Sequence, residues 1–213
     1  MGKEKVVALD GVSLQVKEGD ICCIYGVSGS GKSTLLNLMA GLEKPTEGEI
    51  ILHGSHIEKM SESQLALFRQ KYLGFIFQSY NLIPTMTALE NVTLPLIFKG
   101  VGRREFVKRG KEILTQVGLQ DRLYHRPSQM SGGQQQRVGI ARAFVSKPQI
   151  VFADEPTGNL DTKTTRDVMA MIRQIAHENG QTLIIVTHNE SIAHYADKIV
   201  HLEDGKVLSV EEC

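Results

Sequence analysis

Gly26-Val27-Ser28-Gly29-Ser30-Gly31-Lys32-Ser33, with Thr34 behind it, carries the spacing G-x-x-x-x-G-K-[ST]. Glycines at that spacing let backbone N–H groups curl around phosphate oxygens, and a helix starting at the lysine adds its positive dipole end. Lys32 is placed to reach β- and γ-phosphates and the Ser33 hydroxyl to ligate Mg²⁺, which implies ATP or GTP binding. A second group is acidic. Asp154 and Glu155 follow the apolar run Ile150-Val151-Phe152-Ala153, so both carboxylates sit at the C-terminal end of a strand, where open α/β sheets bind ligands. There Asp154 suits Mg²⁺ held through water, and Glu155 suits polarising an attacking water.

These groups need a scaffold that holds two strand ends side by side. Ile21–Tyr25 is short and almost wholly apolar, as in a sheet covered on both faces, and Lys32–Met39 reads as the helix after the phosphate loop. Val12–Val16 alternates like a half-exposed strand, and Glu49–Leu52 and Leu73–Phe77 read as further strands. From Ser79 to Val145 the period becomes helical, in Ala88–Phe98, Arg103–Val117 and Gln134–Val145. Buried strands return at Ile150–Ala153 and Leu183–Val186, separated by a helix over Thr162–Glu178. The tail predicts a hairpin, Ile199–Leu202 and Val207–Val210 around Asp204-Gly205. The expectation is one α/β domain over residues 1–213: a mostly parallel core (1–78 and 146–213), a small antiparallel part and an inserted helical lobe (79–145).

The 213 residues suffice for such a domain. Lys+Arg and Asp+Glu both number 24, so charge offers no case for a nucleic-acid partner. No apolar stretch is long enough to cross a bilayer, so any membrane role has to come through a partner. Cys22 and Cys23 are adjacent in an apolar strand and read as small buried residues, not ligands.

Ser131-Gly132-Gly133-Gln134 with Gln135-Gln136-Arg137 resembles the signature motif of ABC ATPases. Asp154-Glu155-Pro156-Thr157 and Gly158-Asn159-Leu160-Asp161 resemble that family's extended Walker B and D-loop. Gln78 stands where its Q-loop glutamine belongs, and His188 where its switch histidine belongs. The resemblance spans nearly the whole chain. It implies a RecA-like P-loop NTPase core and ATP hydrolysis with Mg²⁺ held by Ser33, Gln78 and Asp154. It also implies catalysis by Glu155, His188 and Lys32. Ser131–Gln134 then form a second anion cradle, which one compact chain with one nucleotide does not need. In the family that cradle closes over the nucleotide of a second copy, with Asp161 coupling the two sites.

Gln78–Pro84, Thr87–Val92 and Asp154–Asp161 further resemble the lipoprotein-releasing, macrolide-export and cell-division group. The resemblance implies an integral membrane permease as partner and a peripheral place on the cytoplasmic face of the plasma membrane. Tyr80, Leu82, Ile83 and Met86 suit docking of a permease helix, with packing under the helical lobe as the alternative. An ABC ATPase that moves no substrate is the alternative. Two departures are conservative: Met130 where the family has leucine, and Val27 where it often has proline. A third is larger, since Lys3–Ala8 holds no Phe, Tyr or Trp where the family stacks an aromatic on adenine. Tyr25, in the core strand, is not placed to replace it. Weak discrimination between ATP and GTP is therefore expected.

Overall fold

Ile21 and Cys23 point into one apolar core, Cys22 and Ile24 into another, so the first strand has no wet face. The same alternation divides Val151 and Ala153 from Phe152, and Leu183 and Ile185 from Ile184 and Val186. Strands buried on both sides read as continuous apolar runs, which is why they were visible in the sequence. Burial also pushes the thiols of Cys22 and Cys23 up to about 12, so both are inert packing residues.

The computed structural model describes residues 7–213. In chain order these form β1 (Ile21–Tyr25), α1 (Lys32–Met39), β2 (Ile51–Leu52), β3 (Ser55–His56), α2 (Glu62–Tyr72) and β4 (Leu73–Ile76). There follow α3 (Ala88–Phe98), α4 (Arg103–Gln116), α5 (Gly132–Phe144), β5 (Ile150–Asp154), α6 (Thr162–Glu178) and β6 (Thr182–Thr187). The chain ends in α7 (Glu190–Ala193), β7 (Lys198–Glu203) and β8 (Lys206–Glu212). The main sheet runs β4-β5-β6-β1-β7-β8, parallel throughout except for β8 against β7. One face is covered by α1 and α2, the other by α3 to α6. The fold is α/β with a mostly parallel sheet and a small separate antiparallel hairpin, β2–β3.

The connection from β4 to β5 is helical, and it sits close. A Cβ on Gly74 would lie 2.5 Å from the carbonyl oxygen of Ala143, so β4 and α5 approach to a distance only glycine allows. Capping boxes start α3 (Thr87 with Glu90) and α5 (Ser131 with Gln134). The Asp161 carboxylate caps α6 by accepting the N–H groups of Lys163 and Thr164, both at 3.0 Å.

Three expectations change. Val12–Val16 is not a strand: Val12, Leu14 and Val16 do turn to the α1–α2 core, but no ladder partner flanks them among the described residues. The strand expected over Glu49–Leu52 starts only at Ile51, because its partner strand ends at His56 and the Ile50 N–H goes to the Glu58 carboxylate at 3.0 Å and not to a ladder. A helix not among the expected elements, α2, begins at a capping box formed by Ser61 and Gln64. The adenine-side expectation concerns Lys3–Ala8, of which residues 3–6 lie outside the described residues. Tyr25 packs its ring edge-on against His201 at 5.5 Å, consistent with a structural place.

Candidate nucleotide site

The loop after β1 is held by close packing. A Cβ on Gly26 would fall 2.1 Å from the Leu202 carbonyl oxygen, and one on Gly31 2.7 Å from that of Ala8. Gly29 and Gly31 have φ of 85° and 97°, a left-handed region that glycine enters without strain. Gly31 caps α1 without any side-chain hydrogen bond, so the first N–H groups of that helix face the loop's hollow. The Ser30 hydroxyl is buried there with no hydrogen-bond partner. An orphaned buried hydroxyl next to a helix start that no side chain caps fits a polyanionic phosphate.

Lys32 lies in the same hollow, its Nζ donating to the Val27 carbonyl at 2.6 Å. Burial lowers its pKa, opposed by the negative charges of Glu155 and Asp154. The Asp154 carboxyl is shifted up, first by burial and then by Glu155, against the pull of Lys32 and a hydrogen bond from Ser33. Ser33 and Asp154, from two neighbouring elements, thus offer hard oxygen donors beside one another. That donor set fits Mg²⁺.

Glu155 sits at φ 44°, an uncommon conformation for a non-glycine residue. It turns the carboxylate towards β6. Oε1 accepts the His188 N–H at 3.1 Å and lies 2.6 Å from His188 Nδ1, while Oε2 accepts the Thr187 hydroxyl at 3.0 Å. Gln78 follows β4 and is pinned to the loop after Glu155. Its carbonyl accepts Asn159 Nδ2 at 3.0 Å, and a Cβ on Gly158 would strike its amide. Phosphate loop, Asp154, Glu155, Gln78 and His188 therefore gather at the C-terminal ends of β1, β4, β5 and β6.

The second cradle expected from the sequence lies elsewhere. Ser131–Gln134 open a cleft of about 410 Å³ together with Asn159, Leu160, Asp161 and Thr164. None of Gly26–Thr34, Asp154, Glu155 or His188 lines it. The capping box engages the N–H groups of Ser131 and Gln134 and neither glycine N–H. The glycines also serve packing: a Cβ on Gly132 would meet the Tyr80 hydroxyl at 2.9 Å, and one on Gly133 would meet Thr164 at 3.1 Å.

Residues 9–158 match the family model described as ABC transporter. The chain belongs to that family. It is 50% identical to an ABC transporter ATP-binding protein of Thermotoga maritima over 99% of this chain and 90% of the relative. It is 45% identical to the lipoprotein-releasing system ATP-binding protein LolD of Geobacter metallireducens, over 98% of this chain and 92% of LolD. It is also similar to the dimeric post-hydrolysis structure of the ATP-binding cassette MJ0796 bound to ADP and Pi, from Methanocaldococcus jannaschii. That likeness has a TM-score of 0.91 at 44% identity and covers 100% of this chain and 93% of that one.

Two features of this ABC ATP-binding subunit were not legible beforehand. Asn91 is fully buried, its Oδ1 accepting the Ile83 N–H and its Nδ2 directed at the carbonyls of Ile83, Met86 and Thr87. It fixes the segment after Gln78, where Leu82 turns into the core while Ile83 stays exposed. The β2–β3 hairpin gathers Glu49, His56 and Glu58, but the Lys59 ammonium lies 3.5 Å from His56 Nδ1 and 3.8 Å from Glu58. With a cation of its own, the cluster is an ion-pair network. No helix among the described residues is long and apolar enough to cross a membrane.

Proposed function

We propose that this ABC subunit hydrolyses ATP at an interface between two head-to-tail copies and drives a separate integral membrane permease from the cytoplasmic face of the plasma membrane. One observation carries the pairing: the cleft lined by Ser131–Gln134 includes no residue of Gly26–Ser33, the two segments read here as anion cradles. A single nucleotide reaches both only if the second comes from another copy.

In this reading Gly26–Thr34 hold the phosphates through backbone N–H groups, and Lys32 adds charge at the β- and γ-phosphates. Ser33, Gln78 and Asp154 hold Mg²⁺, which would neutralise developing phosphate charge when bound. Glu155 accepts a proton from the water whose oxygen attacks the γ-phosphorus, and the β–γ bridging oxygen leaves with ADP. His188 turns its ring from Glu155 to the γ-phosphate side. Ser131–Gln134 and Asp161 act across the interface, and closure moves the helical segment 79–145 with the docked permease. Similarity to the macrolide export ATP-binding/permease protein MacB of Vibrio parahaemolyticus, 42% identical over 98% of this chain and 32% of MacB, supports the permease reading. The test is isolation of the tagged chain from its own membranes with and without chelated Mg²⁺. A stoichiometric multispan protein is expected, and a chain found wholly free of membrane proteins would contradict the permease part.

A further inference from the structure

Thr187 ends β6 with its side chain wholly inaccessible to solvent. Its hydroxyl has two neighbours. The N–H of Asn189 donates to Oγ1 at 3.1 Å, and Glu155 Oε2 lies 3.0 Å away. An N–H cannot accept, so the hydroxyl's one proton goes to the carboxylate. The Thr187 carbonyl meanwhile accepts the N–H of Gly26, the first residue of the phosphate loop, at 3.4 Å. One buried residue therefore touches both the origin of the phosphate cradle and the base beside it.

The other side of the carboxylate is held differently. Oε1 takes the His188 N–H, a fixed backbone donor, and meets His188 Nδ1. The imidazole is 62% exposed, against 15% for the Glu155 side chain, so it has freedom to leave. Once it turns away, Glu155 retains the His188 N–H on Oε1 and the Thr187 hydroxyl on Oε2. The Glu155 backbone, at φ 44°, is fixed by its N–H on the Val186 carbonyl at 2.9 Å and its carbonyl on the Gly158 N–H at 3.1 Å, which leaves the side chain to be aimed. Its direction rests on the His188 N–H and the Thr187 hydroxyl.

We propose that Thr187 is a positioning residue for ATP hydrolysis: its hydroxyl aims the Glu155 carboxylate and keeps it aimed while the His188 ring moves. This rests on the reading of Glu155 as the general base. With its side chain wholly buried and its hydroxyl proton on Glu155, the residue acts through that carboxylate, so its effect belongs in the turnover rate and not in nucleotide affinity.

The test is ATP hydrolysis by wild type, Glu155→Gln, Thr187→Val, Thr187→Ser and the double variant Glu155→Gln/Thr187→Val, read as kcat and KM. Thr187→Val is expected to lower kcat about 10- to 100-fold with KM within about twofold. Thr187→Ser, which restores the hydroxyl, is expected to stay within about threefold of wild type in kcat. With the carboxylate already replaced, adding Thr187→Val should change the residual rate less than about twofold. Should Thr187→Val fail to fold, Thr187→Ala takes its place with the same expectations. Wild-type kcat in the hydroxyl-free variant, serine no better than valine, or a full multiplicative loss in the double variant would each overturn the proposal. If Glu155→Gln itself hydrolyses at the wild-type rate, the base has been misassigned and the role of Thr187 falls with it.

Discussion

Glu155 Oε1 lies 2.6 Å from Nδ1 of His188 and also accepts that residue's backbone N–H, so the proposed base and the proposed switch residue meet in the single chain. The contact spans the ends of β5 and β6, neighbours in register from Ile150–Thr182 to Asp154–Val186. Sheet pairing, and not a flexible loop, brings these residues together. Gly26 and Thr187 extend the same logic across β1 and β6.

Lys32 is buried among loop groups that suit phosphate, which separates its roles in binding and folding. Lys32→Met should fold with ligand-free stability within about 1 kcal/mol of wild type, since it exchanges a buried cation for an apolar chain of similar length. The nucleotide benefit should vanish. At ATP near 100 times its Kd the wild type gains about 2.7 kcal/mol and the variant close to none. Urea unfolding with and without ATP checks both; an equal gain in the variant would remove Lys32 from the site.

Asp154 has an unusual sign for an aspartate. Its folded-state pKa is raised above 3.8, by burial first and by Glu155 second. In the window from 3.8 up to that raised value the folded state binds more protons than the unfolded one. Stability therefore falls as pH rises through this window and levels off above it. Asp154→Asn should remove that fall, leaving a variant more stable than wild type at neutral pH without Mg²⁺, yet inactive. Unfolding midpoints of both proteins between about pH 4 and 7 give the comparison. A variant less stable than wild type at neutral pH would contradict the burial argument.

Asn91 secures the segment beyond Gln78 through one accepted and three donated contacts from a wholly buried amide. Asn91→Ala leaves the Ile83 N–H and the Met86 carbonyl unpaired, while the carbonyls of Ile83 and Thr87 keep the backbone N–H groups of Met86 and Asn91. It should cost about 2–3 kcal/mol, measured by denaturant unfolding. A change below about 0.5 kcal/mol would show that water replaces the amide fully.

What the sequence disclosed follows from what each pattern encodes. Runs such as Leu183–Val186 announce burial on both faces, and α6 matches its expected bounds because Asp161 caps one end and Gly180 follows the other. Val12–Val16 alternates correctly, yet alternation records only which side chains are buried and not whether a neighbouring strand is present. In α2 only Leu65 and Phe68 are buried, too few to establish a helical period, although Ser61 and Gln64 marked its start. Within the site, the phosphate loop and the Asp154–Glu155 pair were visible from their spacing, whereas Gln78, His188, Ser131–Gln134 and Asp161 were visible only through the family resemblance. Thr187 was visible in neither way: a threonine at a strand end has an ordinary structural explanation, and only the fold sets its hydroxyl against Glu155.

The central claim, hydrolysis by Glu155 at an interface between two copies, is tested most directly by Glu155→Gln. The amide keeps the size of the side chain but cannot take the proton, so hydrolysis should fall about 10²- to 10⁴-fold. Bound ATP should then persist and hold two copies together. Light scattering on the eluting variant is predicted to report a monomer without nucleotide and a dimer of this 23.6 kDa chain with ATP. A variant that stays monomeric with ATP and hydrolyses it at the wild-type rate would contradict the account.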